Sequence, residues 1–385
     1  MSRTFFREEC EGDCENVGWG ELVKWRELQM KIAIILGTRP EIVKMSSIIR
    51  ECQRKKLDFF ILHTGQHYSY EMDKAFFDDL ELPSPKYNLD VGSGSHAVQT
   101  GKIMEGIENI LMEEVPDVVL VQGDTNTVLA GALAASKINV KVGHVEAGLR
   151  SYDRTMPEEI NRVVTDHISD YLLAPTGNSK KYLLAEGIPE EKIFVTGNTV
   201  VDAVYQNLEI ARNNGDVLKK YGLTEKNYLL ATVHRAENTD DSKRLRSIFT
   251  GFEQVYQDLG LPILFPAHPR TVKMIKEFGL SVPGGISIVH PLGYLDFLQL
   301  EAGAKLILTD SGGLQEEACI MGVPCVTLRD NTERPETLRV GSNLLAGVDS
   351  NRIFEYAKMM IDKENTWDNP FGDGKAAEKI IIALE

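Results

Sequence analysis

The chain has 385 residues, 43% of them hydrophobic and 26% charged, and a formal net charge of −15. That length exceeds one ordinary core and predicts two domains, while the acidic balance argues against nonspecific nucleic-acid binding, which requires a basic surface. No apolar run approaches the roughly 20 residues that span a bilayer, no secretory leader opens the sequence, and five scattered cysteines suit a reducing compartment, so a cytoplasmic protein without a membrane partner is expected.

Residues 1–29 fit no repeating pattern and predict an N-terminal extension outside the chemistry. Cys10 and Cys14 are the one close cysteine pair there, and no second Cys/His pair at zinc spacing accompanies them. From Met30 onward, short apolar runs recur between helical patterns. The first series is KIAIILG (31–37), DFFILHT (58–64), DVVLVQGD (117–124), VKVGHVEAG (140–148), YLLAPT (171–176) and IFVTGN (193–198). The second is YLLATVH (228–234), PILFPAH (262–268), ISIVHP (286–291), LILTDSG (306–312), PCVTLR (324–329) and NLLAGV (343–348). Continuous apolar strands alternating with helices indicate parallel sheets buried on both faces. Two series therefore predict an α/β protein with two doubly wound domains, spanning 30–199 and 200–370. A terminal helix within 371–385 would pack back on the first domain.

In open α/β sheets, ligands bind outside the carboxyl ends of the strands. Those ends carry Gly37-Thr38-Arg39, Asp124, Glu146, His234, His268 and Ser311-Gly312-Gly313, so a ligand cleft is expected between the two domains. TDSGGLQEEA (309–318) reads as a strand end, a Ser-Gly-Gly turn and a helix, an anion-binding device; read alone it is equally an ordinary serine cap. Glu317 lies about one turn into that helix, within reach of ribose hydroxyls. GTRPEIVKM (37–45) repeats the strand-turn-helix logic and offers Arg39 and Lys44. RDNTERPE (329–336) offers Arg329 and Arg334, and an arginine fork matches phosphate. No G-x-x-x-x-G-K-S/T loop exists, which excludes a P-loop nucleotidase. Neither HTGQH (63–67) nor any D-x-D motif demands a metal. Asp124, Glu146 and Glu158, with His234, form a set of proton-transfer groups rather than isolated caps or ion pairs.

The strings GTRPEIVKM, TGQHY, GDTNTVLAG, GHVEAGLRS, PEEINR, GNTVVD, VHRAEN, TDSGGLQEEA and RDNTERPE, in this order, resemble the non-hydrolysing UDP-N-acetylglucosamine 2-epimerases. The resemblance runs from Met30 through nearly the whole chain. It implies two Rossmann-like domains in the glycosyltransferase-B arrangement, a homodimer, and no cofactor or metal. It implies reversible conversion of UDP-N-acetylglucosamine to UDP-N-acetylmannosamine, which in this family feeds cell-surface polysaccharides. By the same resemblance Asp124, Glu146 and Glu158 are the catalytic carboxylates and His234 the active-site histidine. Arg39, Lys44, Ser311, Gly312, Gly313 and Arg334 are substrate contacts, mostly to the pyrophosphate; Glu317 is the ribose contact; Leu292 and Phe297 belong to the uracil pocket. Gln66 and His67 lie in the motif that helps form a regulatory site in bacterial members, whereas Ala236 replaces an arginine found in many of them. Rival readings in the same fold are a hydrolysing 2-epimerase, an epimerase of a 2,3-diacetamido uronate, and a glycosyltransferase.

Overall fold

The computed structural model describes residues 30–66 and 70–385. The expected extension, 1–29, and His67 therefore lie outside the described residues. Among the described residues thirteen strands form two sheets. In the first are β1 (Lys31–Leu36), β2 (Asp58–His63), β3 (Tyr87–Asn88), β4 (Val118–Gln122), β5 (Lys141–Val145), β6 (Tyr171–Ala174) and β7 (Ile193–Val195). In the second are β8 (Leu229–Thr232), β9 (Ile263–Pro266), β10 (Ile286–Val289), β11 (Leu306–Thr309), β12 (Cys325–Thr327) and β13 (Asn343–Leu345). Every predicted run supplies a strand. The two-residue β3 is an addition that no apolar run announces.

The strand orders are 3-2-1-4-5-6-7 and 10-9-8-11-12-13, parallel throughout. Each sheet reverses its direction of winding once, between β1 and β4 in the first and between β8 and β11 in the second. Helices cover both faces, which is why the central strands are apolar end to end. Ile32–Leu36, Val118–Gln122 and Leu306–Thr309 are buried without interruption. This is the two-domain, doubly wound α/β architecture expected from the sequence.

Helix Thr199–Asn213 follows β7 and runs along both domains. Its Val200, Val201 and Val204 share an apolar cluster with Leu298, Ile320 and Phe371 of the second half. On the other side, Arg50 donates to Gln206 at 2.9 Å and to Asn207 at 2.8 Å. The helix Ala376–Leu384 buries Ala377, Ile380, Ile381 and Leu384 in the core of the first sheet, against residues such as Met45, Ile48 and Val145. Among the described residues no helix is long and apolar enough to cross a membrane.

Candidate active site

The winding reversals place four loops in two crevices. Gly37-Thr38 and Asp124 leave β1 and β4 on either side of the first; His234 and Ser311 leave β8 and β11 on either side of the second. A buried carboxylate ties the loops together across each crevice. Glu41, in the first turn of helix Arg39–Lys55, accepts from the Gly37 and Thr38 amides at 2.5 and 3.1 Å. Its other oxygen accepts from the Thr125 hydroxyl at 2.5 Å. Burial pushes the Glu41 carboxyl up to about 7, against the pull of those three donors. In the second crevice Asp310, fully buried, accepts from the amides of His234 and Arg235 at 3.0 Å each and from the Asn238 side chain at 3.1 Å.

Glu146 is the first residue beyond β5 and has a φ of 72°, a left-handed conformation rare for a side chain other than glycine. The turn is held from behind, because the amides of Glu146 and Ala147 both donate to the Leu173 carbonyl of β6, at 3.1 and 3.3 Å. It is held from the front by Lys44, whose ammonium lies 2.9 and 2.7 Å from the two carboxylate oxygens, and by the Gln122 amide. Burial alone would raise the Glu146 carboxyl; Lys44, Arg334 and Arg162 outweigh it and hold the group below the usual carboxylate range. The same pairing, with Glu316 helping, raises Lys44 above an ordinary lysine although burial opposes its charge. Glu146 is thus 8% exposed yet ionised.

Asp124 pairs with Arg162, one-third of its side chain remaining exposed, and Asn161 donates to its carbonyl at 2.9 Å. Glu158 and Glu159 open helix Pro157–Ile168. Glu158 is exposed, whereas Glu159 turns inward and accepts from the Ser151 and Tyr152 amides, both at 2.9 Å, and from Arg162 at 3.0 Å. The loop that carries the expected acids is therefore anchored by the acid next to one of them.

From the second domain, Ser311 caps helix Gly312–Met321 and leaves the Gly313 turn exposed. Arg334 donates to Glu316 at 3.1 Å, and Glu316, more strongly than burial resists, holds its guanidinium protonated. Arg334 acts electrostatically on both Lys44 and Glu146, so charged residues of the two domains face one cleft. Glu316 in turn accepts from Asn198 at 2.8 Å. Glu317 sits beside the buried Glu301; burial, with Glu316 adding repulsion, pushes its carboxyl up to about 8. His234 is 45% exposed, with its ring 3.9 Å from Asp310.

Other expected residues lie further from this centre. Arg39 stacks over Phe76 and approaches Asp73 at 3.5 Å. Gln66 is buried, its side-chain oxygen accepting from the amide and hydroxyl of Thr127 at 3.0 and 2.7 Å. Leu292 and Phe297 pack on the core of the second sheet. Arg329 differs from expectation: it is 6% exposed, and its guanidinium is committed to Glu237, Asn331 and Glu333. It braces the loop that presents Arg334 and is not itself open to phosphate. Sequence reasoning passed over Gln122, Arg162, Asp310 and Glu316. All four stood within the quoted strings as polar neighbours of the expected residues, with no local signal to single them out.

A family profile described as UDP-N-acetylglucosamine 2-epimerase matches residues 50–385. The UDP-N-acetylglucosamine 2-epimerase of Methanocaldococcus jannaschii is 56% identical over 361 residues, which cover 92% of this chain and 99% of that protein. The enzyme of the same name from Methanococcus maripaludis is 57% identical over 92% of this chain and 98% of its own. The crystal structure of the M. jannaschii enzyme in complex with UDP-GlcNAc and UDP superposes with a TM-score of 0.80, covering 92% of this chain and 99% of that one. With the two parallel sheets, the charged cleft and this similarity along the chain, the protein belongs to the UDP-N-acetylglucosamine 2-epimerase family.

Proposed function

We propose that the chain interconverts UDP-N-acetylglucosamine and UDP-N-acetylmannosamine by eliminating UDP and adding it back, without hydrolysis and without a redox cofactor, as a cytoplasmic homodimer. The C2 hydrogen of the sugar is not α to a carbonyl, so removing it alone would leave an unstabilised carbanion. Departure of UDP from C1 as a base takes that proton gives 2-acetamidoglucal instead. Re-addition, with protonation on the opposite face of C2, inverts the centre.

The observation that carries this reading is the ion pair of Glu146 with Lys44, facing Arg334 across the cleft. A base must be ionised before it can act, and Glu146 is. Its basicity is suppressed chiefly by Lys44 and then by Arg334, cations that a pyrophosphate would engage, with Arg162 adding a smaller share. Arrival of substrate therefore draws Lys44 and Arg334 toward the phosphates, and the carboxylate becomes a stronger base when there is a proton to take. The Ser311–Gly313 helix terminus and Arg334 stabilise charge on the departing UDP. Asp124, after β4, and Glu158, in the first turn of helix Pro157–Ile168, supply proton carriers for the second face, and His234 approaches from the opposite domain.

Product formed in D₂O is expected to carry deuterium at C2 and none at C3 or C4, as read by NMR. Free N-acetylmannosamine as the sole product would establish a hydrolysing enzyme, and protium retained at C2 would exclude the solvent-exchanging elimination.

A further inference from the structure

His144 lies inside β5, fully buried, two residues before Glu146. Its Nδ1 stands 2.6 Å from Asp166 Oδ1 and its Nε2 stands 2.8 Å from the carbonyl oxygen of Gly123. Both partners are acceptors. A neutral imidazole has one N–H and can satisfy one of them; only the doubly protonated ring satisfies both. Gly123 is the residue before Asp124, with a φ of 86°. Its own amide donates to the Val145 carbonyl at 3.1 Å. The peptide that launches Asp124 is therefore gripped at its carbonyl by His144, and the peptide before it is held by β5.

The charges around the ring favour the cation. Asp166, on helix Pro157–Ile168, also accepts from the Gly148 amide at 3.1 Å and pairs with Arg150 at 2.7 Å. Arg150 makes two further bonds to Glu186, at 2.7 and 2.6 Å. Asp166, Arg150 and Glu186 alone would leave a net negative charge under the site; a charged His144 balances it. From the loop after β5, Glu146 adds attraction of the same sign. Burial opposes the charge, and Asp166, then the Gly123 carbonyl and Glu146, outweigh it, so His144 keeps its proton above the ordinary histidine range.

We propose that His144 is a positioning residue for Asp124, acting as a doubly protonated ring strung between Asp166 and the Gly123 carbonyl. It touches no reacting atom. It fixes the approach of one expected acid through Gly123 and, through Asp166 and Gly148, the turn that carries another. The inference rests on the epimerase reading for its kinetic consequence but not for its protonation state. Because the folded chain holds this proton more tightly than a free histidine, the clamp contributes fully below the ordinary histidine range and is lost as pH rises past the raised value.

Two measurements test it. In the ¹⁵N ring spectrum of the unmutated protein near neutral pH, the resonances missing from a His144 variant should show both nitrogens protonated. A neutral ring would overturn the proposal whatever the enzyme turns over. Kinetics supply the second test. Asparagine places its amide near Nδ1 and keeps the Asp166 contact; glutamine places its amide near Nε2 and keeps the Gly123 contact. His144→Asn should lose about 10²-fold in kcat, the cost of misplacing a reacting group by about 1 Å, with KM nearly unchanged. His144→Gln should recover most of that loss. Equal losses in the two variants, or a loss carried by KM, would overturn the assignment. Should the asparagine variant fail to fold, the ring spectrum decides alone. Absence of epimerisation by the unmutated chain would strike at the functional reading and leave the ring spectrum standing.

Discussion

At the crevice of the first sheet the side chains are paired before any ligand arrives: Asp124 with Arg162, Glu146 with Lys44, His144 with Asp166. At the crevice of the second sheet the working parts are a helix N-terminus with two glycines, a histidine 45% exposed, and Arg334, paired with Glu316 and partly open to the cleft. On the proposed function, the same topology carries two kinds of machinery. Proton transfer tolerates little error in position, and in the first crevice Asp124, Glu146 and His144 are each held by a charged partner. Phosphate binding needs backbone amides that can be reached, and the second crevice keeps its turn bare. The contrast teaches that sheets wound in the same order are specialised by what fills the reversal point, not by the sheet beneath it.

The largest effect that would sharpen the contrast is on catalysis. Glu146→Gln and Asp124→Asn should each lower kcat by about 10²–10⁴-fold, the usual share of a general acid or base, while calorimetry finds UDP affinity nearly intact. A large fall in UDP affinity with kcat preserved would break the division between the crevices. Next comes Arg334→Ala, which should weaken UDP binding about tenfold or more, since a lost charge-assisted hydrogen bond costs ~1.5–3 kcal/mol. An unchanged titration curve would remove Arg334 from the phosphate side.

The two glycine turns give a smaller, steric comparison. A Cβ at Gly37 would overlap Thr127 Oγ1 and stand 2.5 Å from Thr64 Oγ1, whereas at Gly313 its nearest neighbour is Ser311 Oγ at 3.9 Å. Gly37→Ala should therefore destabilise the fold by about 1–3 kcal/mol, the range for overpacking, visible as a lower Tm. Gly313→Ala should leave Tm in place and weaken UDP binding alone; a matching drop in Tm would show that the second turn is packed as tightly as the first. The smallest effect is a fraction of a proton. Glu317, pushed up to about 8 by burial and then by Glu316, is mostly protonated at neutral pH. If ribose hydroxyls donate to it, the carboxylate form is favoured and UDP binding releases protons near pH 7, but not well above 8. Binding heats that do not change with the ionisation enthalpy of the buffer would rule this out.

Much of the fold was legible because a strand buried on both faces has no choice but to be apolar throughout, as in IAIIL and VVLV. Tyr87–Asn88 was not, because a two-residue edge strand has neither length nor pattern. In the site, sequence placed acids and arginines beyond strand ends but could not say which way each turned. Arg329 and Arg334 share one loop, and only burial separates the brace from the contact. Glu158 and Glu159 are neighbours in a run of charges, and one helical step of about 100° sends one to solvent and the other inward. The pairing of Lys44 with Glu146 joins residues 102 positions apart, a distance over which local pattern carries no information.

The helix Ala376–Leu384 has a consequence for synthesis. It completes the core of a sheet whose first strand begins at Lys31. A nascent chain emerging from the ribosome can pair β1 to β7 early, yet it leaves Met45, Ile48 and Val145 without their last apolar cover until residues 376–384 have been made. The first domain therefore reaches its final packing after the second has been translated, and for that interval an apolar seam of the newborn chain depends on chaperones or on speed.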